Sequence, residues 1–290
     1  MQLQVFGLVS RDAFHRTGRV AQDLFFQLPG LFSKPNITAM LEMDWITHVQ
    51  SQQKELGGDL WAFTGDSICF LDGRFLGSDL DLLRWAGRHF DYEQSHEHLT
   101  TEADKGKAYT THLEKTKNMY VSMDIDIGGD PAGKIVFELF TDICPKTCDN
   151  FISLCVGQTA GLHYAGSSIH RVVPDGWLQG GDIVSGKGNR GQSVFGGDFE
   201  DENFIVRHHS RGMLGMVNHG RNTNNSQFYI TFRPAHWLDR KYVAFGRVVE
   251  GVQTMDRLQV VQLRNERPVR ECTIASCGKH MESPLLNFRN

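Results

Sequence analysis

Three features that many functional classes need are scarce or missing in this 290-residue sequence: long apolar runs, an excess of positive charge and paired cysteines. No apolar run approaches the roughly 18 residues of a membrane-spanning helix, so we expect no membrane partner. The formal net charge is −4, which provides no basic field for nucleic acid. The opening MQLQVFGLVSRDAF has neither a basic leader nor a small-residue cleavage site, so we expect a cytoplasmic protein.

Cysteine is sparse, with six residues and no Cys-x-x-Cys motif. Cys144, Cys148 and Cys155 fall close to one stripe of a helix, which favours small buried side chains over a ligand or redox cluster. His96 and His98 form an H-x-H pair in a charged stretch, where a solvated segment is a simpler interpretation than a metal site. We therefore expect no metal and no organic cofactor.

Length and charge distribution indicate two domains. Residues 1–116 contain 11 Lys and Arg against 16 Asp and Glu, whereas the remainder is nearly neutral. We place an α/β domain at 1–91, a polar linker at 92–117, a mainly-β domain at 118–278 and a tail at 279–290. A helical turn is expected within the linker near its C-terminal end.

The first domain has the element order βαβαββα, with a hairpin around Asp72-Gly73 and a final helix capped by Ser78. This order, with the GSDLDLL sequence after the hairpin, resembles a glutaredoxin or thioredoxin-like domain. Such enzymes carry Cys-x-x-Cys after the first strand, where this chain has VSRDAF, and the only thiol here is Cys69 in an apolar strand. Dithiol chemistry needs a poised thiolate and a resolving partner, so we expect a binding or docking role.

Gly186, Gly188 and Gly191 form a G-x-G-x-x-G string, which can cradle dinucleotide phosphates when it joins a strand to a helix. The sequence that follows, QSVFGGDFEDENF, is not helical. We interpret the string as a glycine-rich surface loop.

The second domain begins with strict alternation of apolar and polar residues from Val121 to Ile127, which predicts a half-buried strand. A helix is predicted from Pro145 to about Cys155, ending at Gly157. Short strand-like runs follow, then a helix near 252–260 and a closing strand near 269–276. This order suggests a closed β-barrel with helical plugs.

A set of separated motifs runs through this domain in a constant order. They are IHRVVP at 169–174, LQGGD at 178–182, FEDENF at 199–204, GMLGMVN at 212–218, NTNNSQFYI at 222–230, WLD at 237–239 and FG at 245–246. Together they resemble the cyclophilin-type peptidyl-prolyl cis-trans isomerases. The resemblance implies an eight-stranded antiparallel barrel with two capping helices that binds proline-containing polypeptide segments and rotates the bond before proline.

The resemblance also assigns roles to individual residues. Arg171 matches the catalytic arginine, and Gln179 and Asn218 match positions that hold the substrate backbone. His170, Gly188 and Gln227 would complete a polar rim, with Gln227 also positioning Arg171. The remaining substrate-binding positions would form the proline pocket: Trp177, Val217, Tyr229, Trp237, Leu238 and Tyr242. Trp237 is the tryptophan that the family links to cyclosporin, which adds a cyclosporin-type ligand to the expected partners.

The pocket departs from the family pattern at several of these positions. Gly176 stands where a phenylalanine usually floors the pocket, and Trp177 follows where methionine is usual, with an indole that could refill the space. Loss of the floor ring is expected to cost roughly 1–3 kcal/mol of apolar contact. Tyr229 replaces a phenylalanine, Tyr242 replaces a histidine, and His219 replaces an alanine.

Three hypotheses follow. The first is an active prolyl isomerase, whether of full or reduced rate, and the second is a peptide-binding or structural cyclophilin-like module in a larger protein assembly. The third, a thiol oxidoreductase, requires a reactive cysteine in residues 1–91. Because cyclophilins occur among axonemal components, the resemblance also extends the expected location to a cilium or flagellum.

Overall fold

The computed structural model describes residues 1–93 and 101–280, and these divide into two compact units between Lys117 and Asn118. His96 and His98 lie outside the described residues, as does the tail beyond His280. No helix in the described ranges is both long enough and apolar enough to cross a membrane.

The first unit is an α/β domain whose element order matches the predicted βαβαββα. Its elements are β1 (Leu3–Leu8), α1 (Asp12–Gln27), β2 (Asn36–Met40), α2 (Glu42–Leu56), β3 (Ser67–Leu71), β4 (Arg74–Gly77) and α3 (Asp79–Phe90), followed by α4 (Glu102–Lys115). The sheet order is β2-β1-β3-β4, with β1 parallel to β2 and antiparallel to β3. Leu3, Leu24 and Leu82 are fully buried in its core.

Local signals set several element boundaries in this unit. Asp72 and Gly73 both have positive φ, as a tight hairpin turn between β3 and β4 requires. Ser78 and Asp81 form a capping box at the start of α3. Strand β2 ends at Met40 because α2 begins at Glu42, and on α3 Leu80 is exposed while Leu82 is buried.

The segment predicted as a polar linker contains a helix, α4, which is longer than the expected turn. Thr101 and Asp104 form a capping box at its start, and Lys105 Nζ lies 3.0 Å from Asp12 Oδ1 in α1. At the other end of the segment, the Tyr92 hydroxyl donates a hydrogen bond of 2.8 Å to Asp23. The sequence of α4 shows little of the apolar periodicity that marks most helices. Capping and ion pairs stabilise this helix instead, which is why the sequence predicted only a turn.

The second unit is a nearly closed, eight-stranded antiparallel barrel, as the resemblance implies. Its elements are β5 (Met119–Ile127), β6 (Asp130–Leu139), α5 (Pro145–Val156), β7 (Ile169–Val173), β8 (Trp177–Gly180), β9 (Met213–Met216), β10 (Phe228–Thr231), β11 (Ala244–Glu250), α6 (Val252–Gln259), β12 (Leu263–Arg264), β13 (Arg267–Pro268) and β14 (Cys272–Lys279). The sheet order is β14-β5-β6-β11-β9-β10-β8-β7. A bridge between Ser168 and Thr273 joins its two edges.

The barrel core is aromatic, and α5 contributes to it. Phe151 on α5 packs edge-on against Phe228 and Phe245, with ring centroids 5.5 and 5.2 Å away. Cys144, Cys148 and Cys155 are fully buried at the start of α5 and along it, which confirms the prediction of small apolar side chains. Burial raises the pKa of the Cys144 thiol to about 11.

Candidate functional site

A solvent-open cavity of about 410 Å³ lies over β7, β8 and their neighbouring loops. Its lining residues are His170, Arg171, Gln179, Lys187, Gly188, Val217, Asn218, His219, Gln227, Tyr242, Asn265, Glu266 and Arg267. Eight of the twelve sequence-predicted site residues belong to this set: His170, Arg171, Gln179, Gly188, Val217, Asn218, Gln227 and Tyr242. The structure thus brings most of the predicted polar rim into one place.

A β-bulge explains how two consecutive residues of one strand reach the same cavity. The register between β7 and β8 shifts between Ile169 and Arg171, so His170 is an extra residue opposite one partner. Val172 next to them remains fully buried in the barrel. Without the bulge, His170 and Arg171 would point to opposite faces of the sheet.

Arg171 lies on β7 directly opposite Gln179 on β8. Its guanidinium Nη1 donates a long hydrogen bond of 3.4 Å to Gln179 Oε1, and its carbon Cζ lies 5.6 Å from the ring centre of Trp177. Its Nε donates a shorter hydrogen bond of 2.7 Å to Glu266 Oε2. The guanidinium is therefore held from two sides while about two fifths of the Arg171 side chain stays exposed.

Gln227 and Asn218 hold backbone groups of neighbouring loops. The Gln227 amide is buried and donates a hydrogen bond of 2.9 Å to the carbonyl of Arg190. This contact ties Gln227 to the glycine-rich loop, and its expected role in positioning Arg171 stays a prediction. The Asn218 amide donates a hydrogen bond of 2.9 Å to the carbonyl of Lys241, which fixes the loop before β11 against the cavity.

The glycine-rich loop after β8 is organised by one buried carboxylate, which the sequence analysis missed. Asp182 accepts a hydrogen bond from the Ser185 hydroxyl and others from backbone N–H groups, including Ser185 at 2.8 Å and Gly188 at 2.8 Å. Burial opposes ionisation, but these hydrogen bonds outweigh it and hold the pKa of Asp182 well below its usual range. Residues 181–212 form loops and turns, so the G-x-G-x-x-G string is a surface loop, as the sequence predicts.

Within this loop, Gly188 is required by its conformation and by its neighbour. Its φ is +83°, and a Cβ there would lie within 2.5 Å of two atoms of the His170 ring. His170 is itself buried, and burial lowers its pKa, so the imidazole is neutral near pH 7. Its Nδ1 lies buried without a protein hydrogen-bond partner.

The predicted apolar pocket residues gather beside the cavity. Val217, Tyr229, Ala235 and Leu238 form a buried cluster against which Trp177 and Tyr242 pack. Tyr229 and Leu238 are only 3% and 8% exposed and do not reach the cavity lining.

Trp237 lies outside both groups. It is 46% exposed, and the guanidinium carbon of Arg233 sits 5.7 Å from its ring centre. Trp237 precedes Leu238 of the buried cluster, and its assignment to the wall of the proline pocket stays a prediction.

The hydroxyl that distinguishes Tyr229 from phenylalanine points into a buried chain of hydrogen bonds. His208 Nε2 lies 2.5 Å from the Tyr229 hydroxyl, and His208 Nδ1 lies 2.8 Å from Asp239 Oδ1. Gly215 makes room for this arrangement, since a Cβ there would lie 2.2 Å from the hydroxyl oxygen. The extra hydroxyl is therefore used inside the barrel and adds no donor to the cavity.

Comparison with known proteins agrees with this geometry. Residues 121–279 match the family described as cyclophilin type peptidyl-prolyl cis-trans isomerase/CLD. The chain belongs to the cyclophilin family. Over nearly its whole length it is similar to proteins named "Probable inactive peptidyl-prolyl cis-trans isomerase-like 6". The one from Bos taurus is 42% identical over 285 residues, covering 96% of this chain and 93% of the relative. The one from Homo sapiens is 41% identical over 284 residues, with 96% and 91% covered.

Five residues that line the cyclophilin cavity were absent from the predicted site. They are Lys187, His219, Asn265, Glu266 and Arg267. The sequence carried a signal only for His219, as a departure from the family pattern. Glu266 and Arg267 lie about 95 residues from Arg171 in the sequence, and nothing in their local pattern indicates a site. Within residues 1–93 and 101–280, no group of three or more His, Cys, Asp or Glu side chains is arranged to hold a metal ion.

Proposed function

We propose that the cyclophilin domain binds proline-containing polypeptide segments and accelerates rotation about the bond before proline, at a rate limited by its altered pocket. The observation that supports this most directly is a single cavity that contains the Arg171 guanidinium beside Gln179, Asn218 and Gln227. A permanent cation and flanking amides are the groups that this reaction needs.

The chemistry requires no covalent step. The X–Pro bond has partial double-bond character, with a rotation barrier of about 20 kcal/mol and exchange times of tens of seconds or more. Rotation is easier once the prolyl nitrogen lone pair leaves amide resonance, and a cationic donor near that nitrogen stabilises the twisted state. Arg171 is suited to this role because its charge is permanent. Such differential binding of the transition state is sufficient for catalysis.

A second candidate function is a peptide-binding or structural module without catalysis. It is favoured by the pocket itself, in which Tyr229 and Leu238 are buried and only Val217 and Tyr242 link the apolar cluster to the cavity. A proline ring entering this site would find less apolar surface than in a pocket with a phenylalanine floor. The two relatives are themselves named "Probable inactive", which for those proteins points in the same direction.

The test is NMR exchange spectroscopy of a short, blocked Ala-Pro peptide with the full chain, comparing wild type with Arg171→Ala. We expect exchange above the uncatalysed rate for wild type, and its loss in Arg171→Ala while the protein remains folded, because the cation at the prolyl nitrogen is gone. Arg221→Ala, an exposed arginine outside the cavity lining, is the matched control and should retain full activity.

A folded wild-type chain that gives no exchange above background would contradict catalysis. In that case, peptide-induced shifts of amide signals around the cavity would support the second candidate.

We extend the proposal to the first unit. Its strand order β2-β1-β3-β4 supports a thioredoxin-like fold, and its single thiol, Cys69, is buried with a pKa raised to about 12 by that burial. We therefore propose docking to a larger protein assembly as its role, in the cytoplasm or in a cilium or flagellum. A cyclosporin-type ligand remains a proposal for the second unit.

A further inference from the structure

Glu266 occupies a strained position at the tip of the β12–β13 hairpin. Asn265 and Glu266 both have positive φ, of 51° and 63°, a region that residues other than glycine rarely adopt. The carbonyl of Glu266 accepts a hydrogen bond of 2.8 Å from the backbone N–H of Val172, which joins the hairpin tip to β7. The backbone thus fixes the Glu266 side chain next to the residue that precedes Val172.

That residue is Arg171. Glu266 Oε2 accepts the Arg171 Nε–H at 2.7 Å, and both side chains line the cavity. The contact is shorter than the 3.4 Å hydrogen bond from Arg171 to Gln179, and it brings a full negative charge against the guanidinium. The hydrogen bond is charge-assisted, but both side chains are more than two fifths exposed, so solvent weakens it.

The position of this carboxylate bears directly on the reaction. The guanidinium acts through its positive field at the prolyl nitrogen, and a carboxylate in contact with it reduces that field. The same hydrogen bond holds the guanidinium at the hairpin, which restricts its adjustment to a bound substrate. Both effects oppose stabilisation of the transition state more than they oppose substrate binding.

We propose that Glu266 restrains Arg171 and thereby lowers the turnover of this cyclophilin site for X–Pro peptides. The inference rests on the proposed function in using the same cavity and the same arginine. It assigns to Glu266 a positioning role through Arg171, with a defined sign: removing its charge speeds the reaction.

The test compares full-length wild type, Glu266→Gln and the matched control Glu271→Gln, using the blocked Ala-Pro peptide, which carries no charge. The glutamine is close in shape to Glu266 and does not change the left-handed backbone requirement, and Glu271 is an exposed acid that lies outside the cavity lining. For Glu266→Gln we expect kcat to rise roughly two- to fivefold, the range given by an exposed ion pair, with KM nearly unchanged. Glu271→Gln should match wild type.

A spectroscopic measurement tests whether the Arg171–Glu266 pair forms in solution, and the rise of kcat at constant KM separates its role from a purely structural one. In wild type the Arg171 Nε–H is held by Glu266, so its side-chain ¹H–¹⁵N signal should show slow hydrogen exchange with water. In Glu266→Gln the same signal should exchange faster, while backbone amide signals outside the cavity keep their positions.

The outcomes for the two proposals are distinguishable. If wild type catalyses exchange and Glu266→Gln catalyses it faster, the proposed function and the restraint by Glu266 are both supported. If wild type is inactive and Glu266→Gln is active, the restraint is supported and the proposed function is revised to a blocked isomerase. Wild-type exchange that stays equal or falls in Glu266→Gln overturns the restraint and leaves the proposed function intact. If neither wild type nor Glu266→Gln catalyses exchange, both proposals are overturned.

Discussion

Single residues in this site depend on partners that are distant in the sequence. Arg171 donates hydrogen bonds to Gln179 on the neighbouring strand and to Glu266, which lies 95 residues away in the sequence. Asp182 accepts hydrogen bonds from N–H groups of the loop that follows it. The chemical types of Arg171 and Gln179 could be assigned from their motif. Their hydrogen-bond partners could not, because the hairpin carrying Glu266 meets β7 only in the folded barrel.

Asp182 gives a prediction of pH dependence. Its pKa is lower in the folded chain than in the unfolded chain, so the ionised carboxylate contributes stability above the unfolded value and loses it as pH falls toward the folded one. We expect Asp182→Asn to reduce the free energy of unfolding by roughly 2 kcal/mol at neutral pH. This difference should shrink as the pH falls below about 4, the usual range of an aspartate pKa.

The measurement is chemical denaturation of wild type and Asp182→Asn at a series of pH values. Asp126→Asn on β5, a half-buried aspartate with no role in the loop, serves as the control. A difference between wild type and Asp182→Asn that stays constant down to low pH would contradict the prediction.

At the level of helices and strands, local chemistry decided most boundaries. The hairpin around Asp72-Gly73, the capping box of Ser78 and Asp81, and the end of α5 at Gly157, with φ of 66°, all follow from residues within one turn of the boundary. Strand β8 and the β12–β13 hairpin were not recognised as strands, since runs of two to four residues are too short for a periodic pattern.

The last strand, β14, contains the cysteine that we expect to react first. Cys277 is the one thiol among the six that is not fully buried, and a hydrogen bond with Cys155 lowers its pKa. Burial raises the pKa values of the other thiols, which disfavours their nucleophilic thiolate form. Iodoacetamide added to the native protein should therefore alkylate Cys277 well before Cys69.

Mass spectrometry of peptides after timed labelling measures this order. The Cys277→Ser variant should label slowly in the native state, and wild type in denaturant should label at all six cysteines. Rapid labelling of Cys69 in the native protein would contradict the prediction and would support the hypothesis of a thiol oxidoreductase function for the first unit.

At the scale of the whole molecule, the chain consists of two units with separate cores. Leu24 is fully buried in the first unit and Leu139 is fully buried in the barrel. Truncating a buried leucine to alanine typically costs about 2–5 kcal/mol, through lost transfer energy and the cavity left behind. We expect Leu24→Ala to lower the melting temperature of the first unit alone, and Leu139→Ala that of the barrel alone.

Differential scanning calorimetry of wild type and both variants tests this, because each unit should give its own transition. The two variants act as controls for each other. A single transition that shifts equally in both variants would show that the units unfold together.

Local patterns in the sequence were sufficient to predict the class of each unit and the family of the second. Apolar periodicity, turn residues and caps act over a few positions, and the cyclophilin motifs kept their order and spacing, so the barrel and eight of the cavity-lining residues could be predicted. Helix α4 was underestimated because caps and ion pairs, such as the one between Lys105 and Asp12, stabilise it in place of an apolar stripe.

The arrangement of the site depends on the folded barrel. It buried Tyr229 and Leu238, left Trp237 exposed, and placed Glu266 against Arg171. The burial of these side chains and the pairing of Glu266 with Arg171 depend on contacts between strands and loops that are far apart in the chain. Closure of the barrel creates those contacts, and no local pattern of residues encodes them.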